Sequence, residues 1–239
     1  MYNKIEKICP RIERLRMNER KEKIINSILT HRLIVIVRGV SSEQLIPLAE
    51  ALYRGGVRLL EVTYCADRSR LDEEVAEDIR LLCEHFEDRM EIGAGTVLTE
   101  KQVELTHRAG GQFIISPEAN DAVIHRTVEL GMVSIPGALT PREVQLANAA
   151  GADFVKLFPV DTMGSPYVKA IRAPLSHVRL LAVGGINENN LQEYLSAGVI
   201  GVGVGGNLVD KKCLANNDFS AIEQLARSYV ERIKEWETI

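Results

Sequence analysis

The chain has 239 residues, 46% hydrophobic and 26% charged, with a formal net charge of −4. That length closes one large core, as an α/β barrel or an open doubly wound sheet, without requiring a second. The charge balance offers no footprint for nucleic acid, and neither a membrane-length apolar run nor a signal-peptide pattern occurs; a soluble cytoplasmic protein with no nucleic-acid or membrane partner is expected.

The charge is unevenly spread. Residues 1 to 32 hold nine Lys or Arg against four Asp or Glu, so the front of the chain is +5 and the remainder −9. Ile5, Ile8, Ile12 and Leu15 recur at helical spacing, a polar interval follows from Asn18 to Lys23, and Ile24, Ile25, Ile28 and Leu29 form a second apolar set. Pro10 permits a break between an initial turn and the next helix. Residues 1–30 therefore read as a helical extension of the domain at 31–239, burying its apolar faces under that domain or in a subunit contact. Basic amphipathic segments also bind membranes or nucleic acid, but the acids interspersed here argue against that.

Eight apolar runs follow: LIVIVRG at 33–39, VRLLEVT at 57–63, IGAGTV at 92–97, QFIIS at 112–116, MVSIPG at 132–137, DFVKLFP at 153–159, VRLLAVGG at 178–185 and VIGVGVGG at 199–206. Runs without polar alternation suit parallel strands covered on both faces, and eight of them with crossover helices predict a (β/α)8 TIM barrel, with the open sheet as the competing fold. The helix signals between the runs agree. Ser41 or Ser42 caps a helix stopped by Gly55-Gly56, and Thr99 with Gln102 resembles a capping box. Thr140-Pro141 opens another helix, with Glu143 in its first turn. Asn187 is expected to cap a helix reaching Ala197 before Gly198, and an amphipathic helix from Phe219 to Trp236 packs through Ile222, Leu225, Ala226, Tyr229 and Ile233.

In a barrel the active site lies at the C-terminal strand ends, so polar groups inside apolar runs there are the ones to collect. They are Arg38, Glu61, Thr96, Ser116 with Pro117, and Lys156. An ammonium group held away from water loses basicity, and the neutral amine can condense with a ketone; a carboxylate such as Glu61 then moves the protons. A structural Glu61–Lys156 ion pair is the non-chemical alternative. The glycines of AVGGI at 182–186 and GVGVGG at 201–206 end the last two runs, where barrels bind phosphate through backbone N–H groups; close strand packing would explain them equally. Cys9, Cys65, Cys83 and Cys213 form no CxxC pair, and no H-x-H or H-E-x-x-H occurs. No metal and no cofactor are expected.

As an ordered set, VIVRG, LLEVTY, IGAGTVLT, FIISP, IPGALTP, VKLFP and VGG resemble the class I aldolases that cleave 2-keto-3-deoxy-6-phosphogluconate, a family that includes 4-hydroxy-2-oxoglutarate aldolases. The resemblance spans about residues 24 to 235. It implies pyruvate and an aldehyde as products, a homotrimer, and no metal. By the same resemblance Lys156 of KLFP forms the Schiff base, Glu61 of LEVT moves protons, and Thr96 and Pro117 help place the pyruvyl unit; Phe158 is a further expected substrate-binding residue. Two departures concern the substrate. Cys65 stands where some members carry an arginine for the carboxylate, which leaves Arg38, or more weakly Arg68, for the anionic contact. Val183 and Gly206 replace a threonine and a serine, so a phosphate would rest on the backbone N–H groups of Gly184, Gly185, Gly205 and Gly206, with Asn207 adding its amide. A different or unphosphorylated 2-keto acid, a phosphate-handling barrel isomerase or synthase, and a non-catalytic scaffold barrel remain the alternatives.

Overall fold

The structure, a computed structural model, describes residues 10–238. Ile5, Ile8 and Cys9 lie outside the described residues, as does the side chain of Ile12. The first element is one helix, α1 (Pro10–His31), which runs unbroken through the polar interval. Glu, Arg and Lys dominate that interval and are strong helix formers, so loss of apolar periodicity there does not interrupt the backbone. Leu15, expected on a packed face, is 53% exposed.

Nine parallel strands follow: β1 (Leu33–Val37), β2 (Leu59–Thr63), β3 (Glu91–Gly95), β4 (Phe113–Ile115), β5 (Val133–Ile135), β6 (Gly137–Ala138), β7 (Val155–Leu157), β8 (Leu180–Val183) and β9 (Gly201–Val204). Their order is β5-β4-β3-β2-β1-β9-β8-β7-β6. Because β5 and β6 are consecutive halves of the fifth run, the ring closes through that run as the eight-stave barrel expected. Pro136 divides it: proline has no N–H for the ladder, although its carbonyl accepts the Lys156 N–H at 2.9 Å.

Helices α2 (Ser42–Arg54), α3 (Asp72–Phe86), α4 (Glu100–Arg108), α5 (Asp121–Glu129), α6 (Pro141–Ala149), α7 (Gly164–Arg172), α8 (Leu191–Ser196), α9 (Lys211–Ala215) and α10 (Phe219–Glu237) complete the structure. Thr140 and Glu143 form the capping box that opens α6. Ser41 occupies the N-cap of α2 without a side-chain cap bond. Thr99 caps Gln102, whose own side chain returns to Leu98 N rather than to Thr99. Asn187 does not start α8: its Oδ1 accepts from Asn189 and Asn190 in a separate turn, and the helix begins three residues later than that side-chain signal suggests.

Strand periodicity divides the core in two. Leu60, Val62, Val155 and Leu157 face outward into the helices. Ile34, Leu59, Phe113, Ile115, Val133, Ile135, Phe154 and Leu181 face inward and pack with Ile24, Ile25 and Ile28 of α1. Helix α1 is thus the floor of the barrel. Its lysines complete the seal, Lys21 pairing with Asp153 at 2.9 Å and Lys23 with Asp88 at 2.9 Å. Part of the opposition between a basic front and an acidic body is thereby satisfied within the chain.

The interior is made fillable by glycine. A Cβ on Gly93 would lie 2.2 Å from the Phe113 ring, one on Gly201 3.0 Å from Leu181, and one on Gly203 2.8 Å from Val183. Large inward side chains on one strand therefore rest on bare backbone of the next, the alternation of large and small that fills a narrow barrel.

Candidate active site

Lys156 lies on the inward face of β7, directly above Phe154, which precedes the strand and packs into the barrel interior. It is 6% exposed, and its register neighbours are Gly137 on β6 and Leu181 on β8. Burial lowers its pKa below the ordinary lysine value; Glu61 opposes that shift and Arg38 reinforces it. Glu61 stands on the inward face of β2, 1% exposed. Burial raises its pKa, against the attraction of Lys156 and Arg38. Their mutual influence places the groups in one electrostatic environment, yet no salt bridge joins them among the described residues, and Glu61 Oε2 has no hydrogen-bond partner. Each group is pushed toward its neutral form at a place where both face the barrel axis, a pattern concentrated at reacting sites.

The carboxylate of Glu61 depends on a glycine. A Cβ on Gly95 would lie 1.6 Å from Glu61 Oε1 and 2.3 Å from Cδ. The side chain therefore occupies the space that any other residue at 95 would fill. The next residue, Thr96, has φ +55°, in the left-handed region that costs a β-branched residue energy and marks functional sites. Its hydroxyl accepts from Arg38 Nη2 at 3.2 Å. Pro117 reaches the same rim, because Gly137 leaves room for its carbonyl, which a Cβ would approach to 2.3 Å. The Phe158 ring centroid lies 4.7 Å from Lys156 Nζ. Arg38, Glu61, Thr96, Pro117, Lys156 and Phe158 thus gather around one mouth. Cys65 and Arg68 instead line a groove of about 420 Å³ between the loops after β2 and β3.

The two glycine pairs differ. Gly184 and Gly185 both have positive φ and press on the loop after β7; a Cβ on Gly185 would lie 2.4 Å from Asp161 Cβ. Gly206 has nothing within 4 Å of such an atom. With Gly205, Arg38, Gln44 and Lys211 it lines a cleft of about 540 Å³ between the ends of β1 and β9. The Asn207 amide is engaged elsewhere, donating to Ile186 O at 2.8 Å. A groove of about 790 Å³ at the opposite end, between α1 and α3, includes Arg20, Lys23, Glu84 and Asp88 and none of the mouth residues. Among the described residues no cluster of His, Cys, Asp or Glu is arranged to hold a metal ion, and no helix is long and apolar enough to cross a membrane. Sequence patterning missed Gly95 and Lys211; the GxG spacing of GAG was a signal for the first, a glycine at each of the last two inward positions of β3.

Residues 24–225 match the family model of KDPG and KHG aldolases. The chain belongs to that family. The KHG/KDPG aldolase of Escherichia coli (strain K12) is 37% identical over 212 residues, covering 87% of this chain and 95% of that protein. The 2-dehydro-3-deoxy-6-phosphogalactonate aldolase of the same strain is 32% identical, covering 85% and 95%. The crystal structure of KDPG aldolase from Legionella pneumophila, with pyruvate captured at low pH as a covalent carbinolamine intermediate, has a TM-score of 0.78 and 31% identity over 86% of this chain and 97% of that one. As a member of the KDPG and KHG aldolase family, this protein is a class I, pyruvate-forming aldolase of 2-keto-3-deoxy sugar acids.

Proposed function

We propose that the substrate is 2-keto-3-deoxy-6-phosphogluconate or its C4 epimer, with 4-hydroxy-2-oxoglutarate as a secondary substrate, and that Lys156 and Glu61 carry the reaction. Lys156 Nζ, as the neutral amine, attacks C2. The carbinolamine loses water to give an iminium, and Glu61 assists by moving protons. Glu61 then accepts the C4 hydroxyl proton as the C3–C4 bond breaks; the bonding pair enters the enamine and the aldehyde leaves, as glyceraldehyde 3-phosphate when the sugar acid is phosphorylated. Protonation at C3 and hydrolysis release pyruvate and restore the amine. The observation that carries this reading is a buried, less basic Lys156 facing a buried, less acidic Glu61 without a salt bridge between them.

Thr96, Pro117 and Phe158 would hold the pyruvyl end, with Arg38 on its carboxylate side. The far anionic end fits better over Gly205 and Gly206, in the cleft lined by Arg38 and Lys211, than over Gly185, where Asp161 stands close. Gly184 would contribute through its backbone N–H. The family resemblance also supports a homotrimer, which sedimentation equilibrium reads directly, and the scattered cysteines support a cytoplasmic setting, which cell fractionation reads.

The experiment is intact-protein mass after incubation with pyruvate and cyanoborohydride, beside Lys156→Ala, followed by turnover of both epimers with and without phosphate. A reduced pyruvyl adduct on the parent alone is expected; an equal adduct on the variant would remove Lys156 from its role.

A further inference from the structure

We propose that Thr63 is a positioning residue of this site, holding with Glu61 the single water through which that carboxylate exchanges protons. The inference rests on the roles given above to Lys156 and Glu61. Leu59, Glu61 and Thr63 alternate along β2 and share its inward face, since Leu60 and Val62 pack outward. Thr63 is 4% exposed, and its Oγ1 has no hydrogen-bond partner in the protein; the same is true of Glu61 Oε2. Two unpartnered oxygens on successive inward positions are exceptional in a folded interior, where buried polar atoms are nearly always satisfied.

Their relative height follows from the strand register. Glu61 pairs with Gly93, and Thr63 pairs with Gly95. The Glu61 carboxylate, however, lies over Gly95, within 1.6 Å of where its Cβ would be. The side chain has therefore climbed from its own level to that of Thr63. The hydroxyl and the carboxylate oxygen therefore stand at one level of the barrel, each without a hydrogen-bond partner and with no direct bond between them. One water making two bonds of about 2.8 Å would satisfy both. The β-branched side chain of Thr63 is stiff about χ1, which holds its hydroxyl on station.

With pyruvate bound to Lys156 as the iminium, a methyl C–H bond breaks and its electron pair forms the enamine double bond, while the iminium π pair returns to nitrogen. The proton passes through the water to the Glu61 carboxylate. In deuterium oxide the reverse step returns a deuteron to the methyl carbon. Exchange therefore reads proton transfer at carbon, and the end-point yield of cyanoborohydride adduct reads whether the imine forms, whatever the rate of its dehydration.

Both are measured, with the melting temperature, for the parent, Thr63→Val and Thr63→Ser. The valine variant is expected to form the adduct to the parental extent, to melt no lower than the parent, and to exchange about 10- to 100-fold more slowly. Serine is expected to restore exchange to within about threefold of the parent. Parental exchange in Thr63→Val overturns the proposal, as does equally slow exchange in Thr63→Ser with both variants melting lower, which would make Thr63 a packing residue. If Thr63→Val does not fold, Thr63→Ala takes its place against Thr63→Ser. Absence of an adduct on the parent would instead overturn the role of Lys156, and this inference with it.

Discussion

Replacing Gly95 with alanine keeps every candidate reacting group and changes only where one of them can stand. The added Cβ would begin 1.6 Å from Glu61 Oε1, whereas such contacts essentially never fall under 3.0 Å, so the oxygen must retreat by about 1.4 Å. Gly95 has no positive φ in this backbone, which leaves steric displacement as the cause. A misplacement of about 1 Å can cost on the order of a hundredfold in rate, equivalent to about 2.7 kcal/mol of transition-state stabilisation. Overpacking of this kind also costs about 1–3 kcal/mol of folding stability. Pyruvate release, followed through a coupled NADH-consuming dehydrogenase, should fall about a hundredfold in Gly95→Ala, while cyanoborohydride trapping at Lys156 persists. A Gly95→Ala variant that folds and turns over like the parent would refute the reasoning, because the carboxylate could not be working from the position it occupies.

Burial holds Lys156 below the ordinary lysine pKa of 10.5, while the Glu61 carboxylate pulls it back upward. The rate of adduct formation should therefore rise with pH to a plateau reached below 10.5, and Glu61→Gln, by removing the opposing charge, should move that limb to lower pH. A limb displaced upward by the substitution would contradict the sign of the coupling. At the other end of the barrel, Ile28 is fully buried among inward strand residues. Ile28→Ala should cost about 2–5 kcal/mol in denaturant unfolding, and a loss below about 0.5 kcal/mol, the range of surface substitutions, would mean that α1 is not an integral floor.

The staves were legible because strands covered on both faces need apolar residues on both, which leaves uninterrupted runs in the sequence. The mouth was legible because a charged residue such as Lys156 or Glu61 stands out inside such a run. What local patterning missed depends on partners far apart in sequence. Gly93 answers to Phe113 and Gly95 to Glu61, each pair meeting across neighbouring strands. Before the strands are paired, these glycines show only a spacing shared by phosphate loops and tight packing. The same limit separates Gly185, pressed against Asp161, from Gly206, open beside Arg38 and Lys211. Asn187 showed the converse difficulty: its side chain had the chemistry of a helix cap, but satisfied a turn just before the helix.

Thr63 passed unnoticed for a third reason. Threonine is an ordinary β-former, and at the end of LLEVT it satisfies strand propensity without drawing attention. Its parity with Glu61 was nevertheless present in the sequence, since residues two apart in a strand face the same way. Only the fold adds the missing fact, that this inward position is buried without a hydrogen-bond partner. A strand-forming residue can therefore be distinguished from a site residue by asking where each polar atom finds its partner. At Thr63 that question leads back to the Glu61 carboxylate, raised to the same level by the bare backbone of Gly95.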